Sequence, residues 1–587
     1  MFIREQKIRK PNGKNYSYYA LVESVREGKK VNKKVLANFG ALSKSDVEKL
    51  ARRFAQLAEL PVGDENETDS EVVGFKYFGI PIFVQEFMKT LRLDDFFKSA
   101  SADMRMKFDL VAIFELMLAA HLFKSGSRAE LSVWDWQQKL FWHPHIRDDL
   151  AYHYLLRALP IFVGLQRPLE EHLHGRLVDL FSIDVDLVFY DLTSSYVEGH
   201  GNWSEMLSRG YSRDKRFDCK QIVIGLVVTR EGFPVSWRVF EGNRLDVQTL
   251  EEMVDDLKDR FQIRRCIWVS DAGLLSKENL TILRQSGYDY ILGAGSGTYK
   301  EVKNELKAPN LQFETIEGMK VCDRQLNLEL SADEQIQCRA VLINSDGRRD
   351  KTASILERRL KLVREGFDGL KKSVCNGYYK TQEDITIAAE KILHNSRVKK
   401  YFSYQAEDGI FDYQENHDQV KRQKEQAGRY ALLTESNLEI ADLINGYKTL
   451  LAVEDAFRVM KNDLDLRPLW HKCDDNLEGH VLLCVCSYLF YKMLDIFMLK
   501  ASLATTPERA LQAIKEIRAV GVEKNGGHQW KLMRIPEDTQ KVLNAIGIKD
   551  AKKIFKRWAA NAPSYHYEPR LWPTQEEALK KRGIAQK

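Results

Sequence analysis

The sequence contains no CxxC pair. Its eight cysteines, at positions 219, 266, 322, 338, 375, 473, 484 and 486, are scattered without even spacing. Disulfide frameworks and zinc clusters are therefore not expected, and the thiols read as reduced residues of a cytosolic protein, with Cys484 and Cys486 in a core. The opening stretch MFIREQKIRK has no apolar segment, so no signal peptide is expected. The longest apolar run, Val481–Tyr491, is too short to span a bilayer and gives way to Lys492 and Asp495. Internal repeats and low-complexity tracts are absent as well. An excess of one charge is also lacking: 89 Lys and Arg against 84 Asp and Glu leave +5. With 44% hydrophobic residues this is globular rather than disordered composition.

Near-neutrality conceals uneven placement. Residues 1–40 hold ten Lys/Arg against three Asp/Glu, and residues 551–587 hold nine against three. Two β runs around Glu27-Gly28 predict a hairpin, with Lys29, Lys30, Lys33 and Lys34 crowding its turn and returning strand. Such lysines suit phosphate contact, and they equally suit a solvated edge strand kept from aggregating. Ser45-x-x-Glu48 is a capping box that opens a helix. These features make residues 1–60 a basic hairpin-plus-helix module. The acid-rich stretch that follows makes 61–74 a linker.

Residues 75–180 read as a helical region, with a buried helix at Phe108–Phe123 and a break at Pro160. From Val185 the texture becomes β-rich. Strands are predicted at Leu187–Leu192, Gln221–Thr229, Val235–Phe240, Arg265–Ser270 and Tyr288–Leu292, with helices at Val247–Phe261 and Lys277–Gln285. Three strands, then helix, strand, helix, strand argue an α/β class with a mixed sheet. This gives a first core part at 181–295. Residues 296–435 lose that periodicity and are too long for a loop, so an inserted α+β subdomain is expected there. Helical patterning then supplies a second core part at 436–505, and 506–587 form a helical, basic C-terminal region.

Asp191 follows the apolar run VFY, and Asp271 follows RCIWVS. A carboxylate at the end of a buried strand is costly unless paired, hydrogen-bonded or bound to a metal. Two at the ends of neighbouring strands can converge on a divalent cation. Each can also simply cap the turn that follows, and spacing leaves both readings open. Read as one helix, Tyr447, Glu454, Arg458 and Lys461 share a polar face, while Val453, Phe457, Met460 and Leu464 form an apolar stripe about 100° away. One acid flanked by bases beside two aspartates suits phosphodiester chemistry. An ordinary Glu-to-Arg surface pair has the same spacing. Thr193 and Ser194 stand close enough to orient Asp191, Glu198 and His200 belong to a loop beyond it, and Asp246 reads as the N-cap of the 247–261 helix.

These blocks resemble a DDE transposase of bacterial insertion sequences, of the group marked by Tyr-x2-Arg-x3-Glu-x6-Lys (the insertion-sequence-four superfamily). Tyr447, Glu454 and Lys461 match that spacing, Leu450 stands at the Arg position, and Arg458 lies one turn beyond the Glu. FYDLTSSYVEG and WVSDAGLLS resemble the first-Asp and second-Asp blocks, and REGFPVSWRVFEGNRLD resembles the strand pair between them. The N-terminal hairpin resembles the family's own.

The resemblance implies an RNase H-like core in which Asp191, Asp271 and Glu454 bind two Mg²⁺ ions, replaceable by Mn²⁺. It implies hydrolysis at transposon ends and transfer of the freed 3′-OH to target DNA. Tyr447, Lys461 and Arg458 would contact phosphate. The partners would be double-stranded DNA (terminal inverted repeats and target) and a second copy of the chain, with no membrane. The location would be the bacterial cytoplasm, on the nucleoid when bound. Relatives stack an inserted-subdomain Trp on a flipped base; residues 296–435 have none, which leaves Tyr378, Tyr379, Tyr401 or Phe402. A nuclease or resolvase without strand transfer, or a non-catalytic DNA-binding descendant, would share the core.

Overall fold

The computed structural model describes residues 71–124, 130–141, 150–183, 187–261, 263, 266–295, 299–308, 311–330, 334–394, 396–524 and 527–560, and the backbone of 2–9, 15–27 and 30–40. The chain divides into two compact units. One comprises Met1–Ile82, Gln138–Pro144 and Gln512–Lys587; the other comprises Phe83–Gln137 and His145–Leu511.

The first unit opens with an antiparallel meander of β1 (Phe2–Arg9), β2 (Asn15–Glu27) and β3 (Lys30–Gly40). Glu27 faces Lys30 across the expected hairpin, and β1 is a third strand that the sequence reading omits. The lysine side chains and the helix expected from Ser45 lie outside the described residues. β4 (Glu71–Tyr77) falls within the expected linker and helical region, and pairs instead with a strand more than 400 residues later, Arg518–Lys524. That partner forms a hairpin with Gly527–Leu532, so the C-terminal region is not wholly helical. Phe78, Phe141, Phe555 and Trp558 form an edge-to-face cluster here, and Ile517 O accepts from both Phe78 N and Gly79 N at 2.9 Å.

In the second unit a helical layer comprises α1 (Gly79–Thr90, begun in the first unit), α2 (Leu93–Ala100), α3 (Leu110–Phe123), α4 (Glu130–Trp136), α5 (Tyr152–Gly164) and α6 (Gln166–Phe181). Asp109 caps α3 by accepting from Val111 N and Ala112 N. Pro160 lies inside α5 and does not break it; the chain turns at Leu165 instead.

The sheet strands are β5 (Leu187–Tyr196), β6 (Gln221–Thr229) and β7 (Pro234–Glu241), then β8 (Ile267–Ser270) and β9 (Asp289–Ala294) after the helices α7 (Leu250–Asp259) and α8 (Lys277–Ser286). β5, β6 and β7 are antiparallel neighbours, while β5–β8 and β8–β9 are parallel. β6 is buried along its whole length, as its unbroken apolar run requires.

The expected boundary of the insertion is corrected by the sheet. After α9 (Lys300–Lys307), β10 (Glu314–Ile316), β11 (Met319–Glu329) and β12 (Gln335–Asn344) extend the core sheet. What leaves the sheet is α10 (Asp346–Cys375), α11 (Gln382–Leu393), the hairpin β13 (Phe402–Glu407) and β14 (Ile410–Glu415), and α12 (His417–Gln426). β15 (Arg429–Thr434) then returns between β12 and β9, completing the order β10-β11-β12-β15-β9-β8-β5-β6-β7. Asn344 pairs with Arg429 where the excursion starts and ends. The excursion has its own core around Leu360, Phe367, Ile385 and Phe411.

Three helices follow: α13 (Ile440–Lys448), α14 (Leu451–Asn462) and α15 (Asp474–Lys500). α15 is long and apolar enough to cross a bilayer, but it is mostly buried and packs on α3 and α5, with Gly479 tight against Leu159.

A buried ionic cluster ties α6 to the sheet. Glu170, with a fully buried side chain, meets Arg260 at 2.6 Å, and Arg260 also reaches Asp256, the partner of Arg238 on β7. Burial pushes the Glu170 carboxyl up, and Arg260 opposes that shift. Arg260→Leu should therefore cost about 3–5 kcal/mol by stranding a buried carboxylate. Urea unfolding of the variant checks this, and Glu170→Leu in the same chain should recover most of the loss.

Candidate active site

Asp191 lies within β5, and its Oδ1 accepts from Leu192 N at 2.8 Å. β8 runs parallel beside β5, with Val188 level with Trp268 and Phe189 with Val269. Continued by two residues, that register sets Asp271 level with Asp191 on the same sheet face. The opposite face carries Tyr190, stacked against Trp268 and donating to Thr249 Oγ1 at 2.8 Å. Asp271 caps the turn Ala272–Leu274, with Oδ1 accepting from Gly273 N at 2.8 Å. The capping reading of this residue thus holds alongside any ligand role, since a second carboxylate oxygen remains.

Glu454 stands in the first turn of α14, exposed. α14 packs on β5 and β6, and the expected apolar stripe of Val453, Phe457, Met460 and Leu464 is buried. The helix does not extend back to Tyr447: α13 ends at Lys448 and the chain turns at Thr449 and Leu450. Leu450 is itself buried.

The three acids lie within electrostatic reach of one another. Burial, then the charge of Asp271, and also that of Glu454, push the Asp191 carboxyl up to about 7. Leu192 N and Arg213 oppose this without overcoming it. A convergence of carboxylates short of counter-charge, with oxygens to spare, fits a divalent cation held by Asp191, Asp271 and Glu454.

The surroundings contain groups that the sequence reading misjudged. Asp246 is not the cap of α7; its carboxylate pairs with Arg213 at 2.6 Å and lies beside the Asp271 turn. Ser194 does not orient Asp191 but accepts from Arg213 N at 3.1 Å. Lys461 points away from solvent into Asp214, at 2.8 Å, where Arg467 also pairs. Its ammonium pKa is lowered by burial, and Asp214 opposes that shift. Arg458 turns outward to Asp455 at 3.2 Å, and the acids that act on it are Asp455 and Asp463 rather than Asp191 or Asp271. Of the proposed stacking aromatics, Tyr401 and Phe402 are buried in the excursion's core, whereas Tyr378 is 80% exposed and Tyr379 36%.

Tyr447 lies over Gly293 of β9, where any Cβ would collide with the phenol. Burial raises its pKa, with Asp271 and Glu454 adding to the effect and Arg348 countering it by charge and hydrogen bond. The phenol is therefore a protonated donor at neutral pH. Arg348, from the first turn of α10, was invisible to sequence reasoning because about a hundred residues separate it from Tyr447.

The turn after α14 is clamped from both sides. Ser195 Oγ donates to Leu466 O at 2.6 Å, and Leu469 N to Tyr196 O at 2.8 Å. From the helical layer, His121 Nδ1 reaches Leu464 O at 2.9 Å and His480 Nε2 reaches Asp465 O at 3.2 Å. A carbonyl only accepts, so both ring nitrogens carry protons. Asp465 between them is left-handed, with φ 54°.

Two family models match the chain. Residues 3–62 match the N-terminal domain of IS1634 family transposases, and residues 185–490 match the transposase DDE domain, which is more than half of the sequence. No curated protein sequence matches it.

An acid whose folded-state pKa is raised contributes stability that is complete below its unfolded value, near 3.8, and is lost as pH rises through about 7. Metal-free wild-type protein should accordingly melt below Asp191→Asn at pH 8 and approach it at pH 5. Mn²⁺ should raise the wild-type melting temperature at pH 8 and leave the variant nearly unmoved. Thermal melts in EDTA and in Mn²⁺ at the two pH values provide the check.

Proposed function

The chain belongs to the DDE transposases of insertion sequences, and from that premise we propose that it cleaves the ends of its element and joins the freed 3′ hydroxyls to target DNA. What supports the reading is that Asp191, on a strand of the mixed sheet and level with Asp271 by the β5–β8 register, is pushed up by burial first and then by the charges of Asp271 and Glu454, acids far apart in sequence. Two Mg²⁺ ions, replaceable by Mn²⁺, would there supply activation of the attacking oxygen and stabilisation of the leaving one. The chain's own residues do the rest. Asp191 must be ionised to ligate, so the site strengthens as pH rises toward 7. Asp271 is oriented by its own turn, and Glu454 is fixed by the burial of the other side of α14.

In the first step water attacks the phosphorus at the element's end, the P–O3′ bond breaks, and a 3′-OH and a 5′-phosphate result. In the second, that 3′ oxygen attacks a target phosphorus and displaces the target's own 3′ oxygen, so the number of phosphodiester bonds is conserved. Tyr447 offers its hydroxyl to phosphate beside the acids. Lys461, with Arg467 and Arg213, gives the neighbouring loop a cationic side that Asp214 and Asp246 partly offset. Arg458 serves a phosphate farther from the acids, Lys29, Lys30, Lys33 and Lys34 contact DNA from the N-terminal hairpin, and a second copy of the chain holds the paired end.

Labelled duplex carrying the inverted repeats that flank the gene, incubated with Mn²⁺, tests the reading. Joined products are expected. Nicks alone would make the protein a nuclease, and a metal-independent shift without cutting would make it a binding protein. Asp191→Asn, Asp271→Asn and Glu454→Gln should each reduce cleavage by at least about a thousandfold while duplex affinity stays within a fewfold of wild type. Vigorous cutting by any of the three would remove that residue from the site. Binding should also weaken steeply with salt.

A further inference from the structure

We propose that Arg348, carried by the excursion from the sheet, is a phosphate-binding residue of the catalytic site. Ser345 caps α10 and accepts from Arg348 N at 3.3 Å, which fixes the backbone of that first turn. The guanidinium lies over the Tyr430 ring, 4.1 Å from its centroid, and is close enough to Tyr447 to counter the rise of its pKa. The Tyr430 and Tyr447 rings are 6.1 Å apart and tilted by 35°, so the arginine and both phenols form one group. Tyr447 in turn lies over Gly293 of β9, and the parallel register of β8 and β9, which pairs Ser270 with Leu292, sets Gly293 level with Asp271, so this group stands at the edge of the acid cluster.

Charge pairing distinguishes Arg348 from Arg349 and Arg364 of α10. Arg349 meets Asp346 at 2.8 Å, and Arg364 meets Glu357 and Glu415 at 2.8 and 2.6 Å. Among the described residues, no carboxylate forms an ion pair with Arg348. A guanidinium has five N–H donors in a planar fork that matches phosphate. Its position over Tyr430 leaves the edges of that fork open to an anion. Tyr447 beside it keeps its proton at neutral pH and can donate it to the same anion. The ligand class is therefore a backbone phosphate of DNA, gripped next to the carboxylates. This inference rests on the transposase reading of the acid cluster.

The test uses the full chain, duplex ending in the gene's flanking inverted repeat, and Ca²⁺ in place of Mg²⁺ so that binding is read without turnover. The terminal phosphates are replaced one at a time by uncharged methylphosphonates. Arg348→Ala should weaken binding to native duplex about tenfold, as expected for a charged hydrogen bond. Neutralising one particular phosphate should weaken wild type similarly and cost Arg348→Ala nothing further. Arg348→Lys should fall between, and Tyr430→Phe, which keeps the stacking ring, should match wild type. Unchanged affinity in Arg348→Ala, or equal losses in both proteins at every position, would overturn the proposal. The underlying reading is tested separately, by wild-type cleavage in Mn²⁺. Wild type that cuts while Arg348→Ala cuts with the same kcat and KM refutes only the arginine's role. Wild type that neither binds nor cuts refutes both.

Discussion

A buried carboxylate at Asp191, with the charges of Asp271 and Glu454 acting on it, is the constraint around which this part of the second unit is arranged. Burial first, and then the charges of Asp271 and Glu454, push the Asp191 carboxyl up, and left to themselves such acids would separate or take up protons. They stay together because each is fixed by something indifferent to charge. Parallel register sets the two aspartates level. Buried Val453, Phe457 and Met460 seat the glutamate's helix on β5 and β6. Beyond the helix, His121 and His480 hold the carbonyls of a left-handed turn while Ser195 holds the next. The hydrophobic and hydrogen-bonded scaffold thus overrides the local electrostatics, the usual balance in a preorganised site.

Cationic groups around the acids divide into two kinds. Arg213, Lys461 and Arg467 are tethered to Asp246 or Asp214 and act as a partly neutralised wall. Arg348 is held by aromatic rings instead of an acid. Pairing a cation with a carboxylate lowers the field it presents to a ligand, whereas stacking it on a ring leaves the field nearly whole. Proximity alone would therefore rank these residues wrongly.

The strands were legible because apolar, β-branched runs end sharply. β6 matches its predicted limits, and β5, β7, β8 and β9 differ by a few residues. The acids were legible because a carboxylate directly after a buried apolar run is anomalous, even though β5 continues past Asp191 to Tyr196, and the resemblance then linked them to Glu454. Other features depend on tertiary packing. Pro160 sits in an unbroken helix, and Tyr447 and Glu454 fall on two helices where spacing suggested one. The insertion's limits were overdrawn because β10, β11, β12 and β15 extend the edge of the sheet beyond β9 and lack the dense apolar patterning of its centre. Asp246 looked like a cap because Asp before a helix commonly is one, yet Arg213 claims it through a loop whose path no local pattern reveals.

Asn344 and Arg429 face each other across two adjacent antiparallel strands, so the whole excursion between them is, topologically, an overgrown hairpin turn. A turn of that kind can be lengthened, trimmed or exchanged by recombination at little entropic cost to the sheet, because closing a loop depends only weakly on its length. Arg348 and Ser345 sit at the root of that turn, within a few residues of the sheet, while Phe367 and Phe411 anchor its distal part. The arrangement resembles a tool with a fixed grip and an interchangeable head: lineages could remodel the outer portion and leave the chemistry's nearest handhold where it stands.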